Sequence, residues 1–167
     1  MAAQSWRADE SRTWIGFKSE AVGLPTTKGH FAHYRGRILI DFERQMKSFT
    51  SFTVDSASVD VCSASYTNFV KSAVLLNVEE FPTMSVTSTQ VEKLEPRTAR
   101  VTGDLTMLGV TKPITFTVNV DPWANPRAVA FVASGRIARS EFGVIFGIPL
   151  LDDALKNTVK TRALSDE

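Results

Sequence analysis

Apolar and polar residues alternate along most of this chain, which is the two-residue period of a strand with one buried face. Over 97–107, Ala99, Val101, Gly103, Leu105 and Met107 fall on one side and Thr98, Arg100, Thr102, Asp104 and Thr106 on the other. Ile114, Phe116, Val118 and Val120 alternate with Thr115, Thr117, Asn119 and Asp121, and Val129, Phe131, Ala133, Gly135 and Ile137 share a side. Ile38, Ile40 and Phe42 alternate with Arg37, Leu39 and Asp41, and Ile15, Phe17, Ser19 and Ala21 oppose Gly16, Lys18 and Glu20. Weaker strands cover 27–35, 47–62, 83–92 and 157–163. About eight to ten short, one-sided strands separated by turn residues predict an all-β, antiparallel fold, a sandwich or a closed barrel.

Two segments depart from the period of two. Tyr66–Leu76 places Phe69, Ala73 and Leu76 at helical spacing and predicts one short helix, with Pro82 punctuating before the next strand. Val144–Leu151 is almost wholly apolar yet carries Gly147 and Pro149, which predicts an apolar loop or strand end.

The chain has 167 residues, which suits a single domain over 1–167. Lys and Arg number 19 against 18 Asp and Glu, for a net charge of +1. That balance argues against general nucleic-acid binding and against a polybasic membrane anchor. No apolar run approaches the ~20 residues of a membrane-spanning helix. The segment Met1–Trp6 has neither a cationic nor an apolar region of a signal peptide, so a cytoplasmic chain or one with its signal trimmed is expected. The 11 Phe against 2 Tyr make the interior apolar and short of hydroxyl groups.

Candidate chemistry is sparse. His30 and His33 are three apart, which on a strand puts them on opposite faces and prevents joint chelation. Cys62 has no partner cysteine and no cationic neighbour in sequence, and reads as an inert thiol. Asp152-Asp153 and Glu79-Glu80 are adjacent carboxylate pairs of the kind common at turns. No phosphate-binding glycine loop and no nucleophile elbow occurs. No catalytic residue, metal site or catalytic cofactor is nominated. Met107–Pro113 reads as a hairpin connection with Gly109 at a permissive turn position and Pro113 fixing φ at the entry to the next strand. Arg139 ends a strand, where it can join an exposed ion pair or meet an anionic head group at a barrel rim.

By parity, the inward faces carry Phe17, Phe31, Ile38, Ile40, Phe52, Val101, Leu105, Phe116, Val118, Phe131 and Ile137, none of them charged. Such a set either fills a core or lines a lumen suited to an apolar tail. Phe142, Phe146, Ile148 and Arg139 are candidates for a gate at the barrel mouth, with Lys112 a further polar rim candidate. The apolar loop could equally serve a homodimer contact.

The order of several motifs resembles the YceI-like family of polyisoprenoid-binding, lipocalin-like proteins. Gly103-Asp104-Leu105-Thr106-Met107-Leu108-Gly109-Val110-Thr111-Lys112-Pro113 is similar to the family's G-x-L-T-x-x-G-V-T-K/R-P segment. Arg139-Ser140-Glu141-Phe142-Gly143 is similar to its arginine-serine-acid-phenylalanine-glycine signature. Gly29-x-Phe31, Gly36-x-Ile38, Asp41, Ala57–Asp60 and Val78–Pro82 follow the family's order. Tyr66–Val70 stands where members often carry Arg-Asp-x-His-Leu, and Ser19–Leu24 where they often have a histidine before a glycine, so no role of those residues carries over.

The resemblance covers roughly 6–163 and implies a lipocalin-like barrel of about eight strands with one short helix, its core in that range. It further implies non-enzymatic binding, transport or storage of a long-chain apolar lipid: a polyisoprenoid, an isoprenoid quinone or a fatty-chain amphiphile. It also implies a periplasmic or secreted location. Two other readings fit the same residues. One is an enzyme acting on an apolar substrate, which requires a titratable group in the lumen; parity puts Asp41, Asp104 and Asp121 outward. The other is an interaction module with a packed core.

Overall fold

The structure is a computed structural model that describes residues 4–7, 13–21, 24–40, 48–61, 63–122, 128–144 and 154–165. Side chains are described for these residues except 4–7, 20–21, 24–27, 40, 121–122, 128–129 and 162–165.

Period-two segments all become strands. They are β1 (Gln4–Arg7), β2 (Thr13–Ala21), β3 (Leu24–Phe31), β4 (Tyr34–Ile40), β5 (Phe49–Asp55), β6 (Val59–Asp60), β7 (Thr83–Glu95), β8 (Thr98–Met107), β9 (Val110–Pro122), β10 (Ala128–Ala138) and β11 (Ala154–Ser165). Every pairing is antiparallel, and the sheet closes on itself because β1 pairs with both β4 and β11. β1 and β2 follow one another along β11, with Trp6 opposite Ser165 and Thr13 opposite Thr161. β4 and β3 lie against β1 and β2, and β5 and β6 lie against β4 and β3. The eleven segments among the described residues therefore occupy eight places round the barrel, and the expected lipocalin-like all-β barrel is the fold observed.

Local chemistry explains the connections. Met107 pairs with Val110, leaving Leu108 (φ +55°) and Gly109 (φ +74°) as a two-residue turn with positive φ at both positions. That geometry matches the twist of the strands it joins. Pro113 lies inside β9 rather than at its entry, opposite Asp104. It is tolerated there because β9 begins its pairing with β10 only at Phe116, so no ladder bond is lost on that side.

The helix is shorter than its hydrophobic spacing predicted. α1 spans Ala64–Lys71, capped by Ser63, whose Oγ accepts from the Tyr66 amide at 3.1 Å. It stops where the Ser72 hydroxyl donates to the Phe69 carbonyl at 2.6 Å, competing with the next helical bond. Ala73 is exposed, whereas Leu75 and Leu76 turn inward on an irregular segment whose Leu76 amide donates to the Val70 carbonyl at 3.0 Å.

Candidate functional site: an apolar lumen

The barrel encloses a cavity of about 560 Å³, within the range of about 300–1,000 Å³ usual for small-molecule sites. β8 supplies Ala99, Val101, Gly103, Leu105 and Met107 to its wall, and β9 supplies Ile114, Phe116, Val118 and Val120. At ~3.3 Å per residue and a strand tilt of about 40°, the wall residues of β8 alone extend about 20 Å along the barrel axis.

Ten of the eleven parity-assigned residues stand on this wall: Phe17, Phe31, Ile38, Phe52, Val101, Leu105, Phe116, Val118, Phe131 and Ile137. The side chain of Ile40 lies outside those described. Several wall residues escaped the hydrophobic pattern. Tyr66 and Val70 come from α1, Leu75 and Leu76 from the turn after it, and Met84 and Val86 from β7. β11 contributes Leu155, Asn157, Val159 and Thr161. Asn157 and Thr161 keep the strand period, but being polar they raise no apolar signal.

The polar atoms of the wall are largely engaged. Ser88 Oγ accepts from the Thr50 amide at 2.8 Å, beside the bulge between Ser88 and Gln90. The Thr161 and Thr13 hydroxyls share a buried hydrogen bond at 2.5 Å, and the Tyr34 hydroxyl donates to the Thr13 carbonyl. Asn157 Nδ2 donates to the Leu155 carbonyl at 2.8 Å. Among the described residues, the ionisable wall members apart from Tyr66 are Glu95, Arg97 and Arg139.

The two ends differ. Among the described residues, the exposed wall members lie at one end: Leu39 and Phe49, paired across β4 and β5, and Glu95, Pro96 and Arg97 at the β7–β8 turn. At the other end Val70, Met107, Ile114, Ile137, Arg139 and Val144 are all buried. Leu75, Leu76, Met84 and Leu108 pack against that cluster, closing it with the turn after α1 and the 3-10 turn Arg139–Phe142.

This polarity corrects the expected mouth. Arg139 is only 4% exposed, and its guanidinium donates to the Val144 carbonyl at 3.1 Å. Its burial places it inside the closed end and not at a rim. Phe142, expected as a gate, is 1% exposed and packs in the core cluster with Met107 and Ile114. A residue so enclosed has no room to swing. Phe146 and Ile148 lie outside the described residues. Lys112 is exposed on β9 and does not reach the wall.

The remaining candidates sit elsewhere. His30 is half-buried on β3, and His33 is exposed, with its amide donating to Ser58 Oγ at 3.0 Å. Glu79 and Glu80 are exposed on a turn, where Asn77 Nδ2 donates to Glu80 Oε2 at 3.1 Å. Asp104 is exposed on β8, while the side chains of Asp41 and Asp121, together with Cys62, Asp152 and Asp153, lie outside the described set.

A family model described as the YceI-like domain matches residues 6–163. The chain belongs to the YceI-like family. Protein YceI of Salmonella arizonae is 32% identical over 136 residues, 78% of this chain and 70% of that protein. Among solved structures similar to this YceI-like chain is Burkholderia cenocepacia BcnA, with a TM-score of 0.86, 21% identity, and coverage of 93% of this chain and 98% of that one. The Campylobacter jejuni YCEI protein has a TM-score of 0.80 at 22% identity, covering 89% and 90% of the two chains. A polyisoprenoid binding domain from Saccharophagus degradans has a TM-score of 0.76 at 12% identity, covering 97% and 98%. At these identities the structures share the fold of this YceI-like barrel.

Proposed function

We propose that this protein is a non-enzymatic carrier that holds the tail of one long-chain apolar lipid, a polyisoprenoid, isoprenoid quinone or fatty-chain amphiphile, inside its barrel. The observation that carries this reading is the lumen: long, walled almost wholly by apolar side chains among the described residues, and closed at the α1 end. Each methylene drawn from water into such a wall contributes ~0.8 kcal/mol, less the cost of ordering the chain. The similarity to a polyisoprenoid binding domain supports the same ligand class. A carrier also fits the engagement of Arg139 by Val144, which commits the buried wall cation to holding the closed end.

Native mass spectrometry of protein purified without lipid extraction tests the proposal. The expected result is a discrete mass increment that is lost on denaturation and recovered in organic solvent as an apolar compound. A bare polypeptide mass that stays bare after incubation with long-chain lipids would refute it.

A further inference from the structure

Three phenylalanines of the lumen wall face glycines directly across the sheet: Phe17 opposite Gly29, Phe52 opposite Gly36 and Phe116 opposite Gly135. Directly opposed residues project to the same face, so each ring and the missing side chain of its partner share one patch of wall. A β-carbon built on Gly36 would lie 2.4 Å from Phe52 Cε1, and its three nearest neighbours would all be atoms of that ring. One on Gly29 would lie 2.4 Å from Phe17 Cζ, and one on Gly135 would lie 2.9 Å from Phe116 Cδ1. Each ring therefore occupies space that a side chain on its glycine would need, and Phe52 does so most completely. In consequence the three phenylalanines touch the lumen and the three glycines do not.

This arrangement explains how an interior rich in phenylalanine stays hollow. A ring standing upright from the wall would cross the lumen, whereas a ring laid over a glycine adds only its own thickness. We infer that Gly29, Gly36 and Gly135 set the calibre of the lumen, and with it the bulk of the chain that the barrel accepts. They are positioning residues: each acts through the phenylalanine it shelters. The inference rests on the lipid-carrier reading and adds the determinant of its selectivity. Gly36 is the cleanest position, because a β-carbon on Gly29 also meets Val61 and one on Gly135 also meets the Thr115 carbonyl. A methyl at Gly36 reaches ordinary contact only if the Phe52 ring retreats by about 1 Å, and the open direction is the lumen.

The test offers the whole protein alcohols of matched length and graded cross-section, from unbranched fatty alcohols through methyl-branched polyprenols to a sterol, and reads occupancy by native mass spectrometry, with folding checked by circular dichroism. Gly36→Ala is expected to lose affinity for the bulkiest alcohol that wild type accepts by about tenfold, the equivalent of one to two methylene groups losing their place. The unbranched fatty alcohols, the slimmest of the series, should be little affected. Adding Phe52→Leu to Gly36→Ala is expected to restore the wild-type profile. Phe52→Leu alone is expected to shift acceptance toward bulkier chains, and it carries the test should Gly36→Ala fail to fold. Folded variants that keep the wild-type profile would overturn the inference while leaving the carrier reading intact. A wild-type barrel that takes up no polyprenol and no fatty alcohol would overturn both.

Discussion

The Arg139 guanidinium, almost fully buried, donates to the Val144 carbonyl oxygen across the 3-10 turn that closes one end of the barrel. The contact ties the end of β10 to the segment that follows it and fixes which end of the lumen is sealed. Replacing Arg139 by alanine leaves that buried carbonyl short of a donor and removes the packing of the side-chain stem. A loss of about 2–3 kcal/mol is expected, measured as a lower urea midpoint at an unchanged slope.

Thr13 and Thr161 form a hydroxyl pair between opposed residues of β2 and β11. Thr13→Val alone strands the Thr161 hydroxyl in a buried position and is expected to cost about 1–2 kcal/mol. Adding Thr161→Val removes the stranded partner, and the double variant should recover most of that loss. A double-mutant cycle with a coupling energy near zero would contradict the pairing.

The Leu108-Gly109 turn makes a sharper demand on the backbone. Gly109 holds φ +74°, and a β-carbon there would also meet the Phe81 ring at 3.1 Å. Gly109→Ala is expected to cost about 1–2 kcal/mol from the left-handed conformation alone. Thermal unfolding at fixed pH reads the effect.

The exposed Arg100–Glu92 pair at 3.3 Å provides a contrast, since both side chains are about half exposed. Glu92→Ala is expected to change stability by less than about 0.5 kcal/mol. A loss comparable to that of Arg139→Ala would show that this account misjudges where the polar contacts matter.

Much of the barrel was legible in the sequence because strand parity is local. Once Ala99, Val101, Gly103, Leu105 and Met107 alternate with polar residues, their common face follows from backbone geometry alone. The part that failed depends on contacts between distant segments. Whether Arg139 is a rim cation or a buried strut depends on where its 3-10 turn packs, and Phe142 of that turn joins a cluster with Met107 and Ile114, which lie far away in the chain. The expected helix ran on to Leu76 because Leu75 and Leu76 are apolar for a tertiary reason, the plugging of the closed end, and not a helical one. Asn157 and Thr161 were missed because an engaged polar side chain in a wall looks, in sequence, like a solvent-facing one. The phenylalanine excess pointed to an apolar interior, but only the cross-strand register showed that glycines fold three of the rings away.

Filling the lumen separates a binding site from a core. Ala133 stands on the wall of β10, half-buried. Ala133→Phe should find space in a hollow barrel, changing stability by no more than about 1 kcal/mol, whereas overpacking a filled core costs about 1–3 kcal/mol. The same variant should lose most of its capacity for long-chain lipid, read by native mass spectrometry.

The most direct test of the central claim is a crystal structure of protein purified without any lipid-removal step. A carrier should show a continuous tube of density along the lumen, from the end beside Phe49 and Arg97 to the closed end beneath Met107 and Leu76, with Phe17, Phe52 and Phe116 lying against their glycines. An interior closed by those same rings turned inward, with no density along the axis even after soaking in polyprenol, would contradict it.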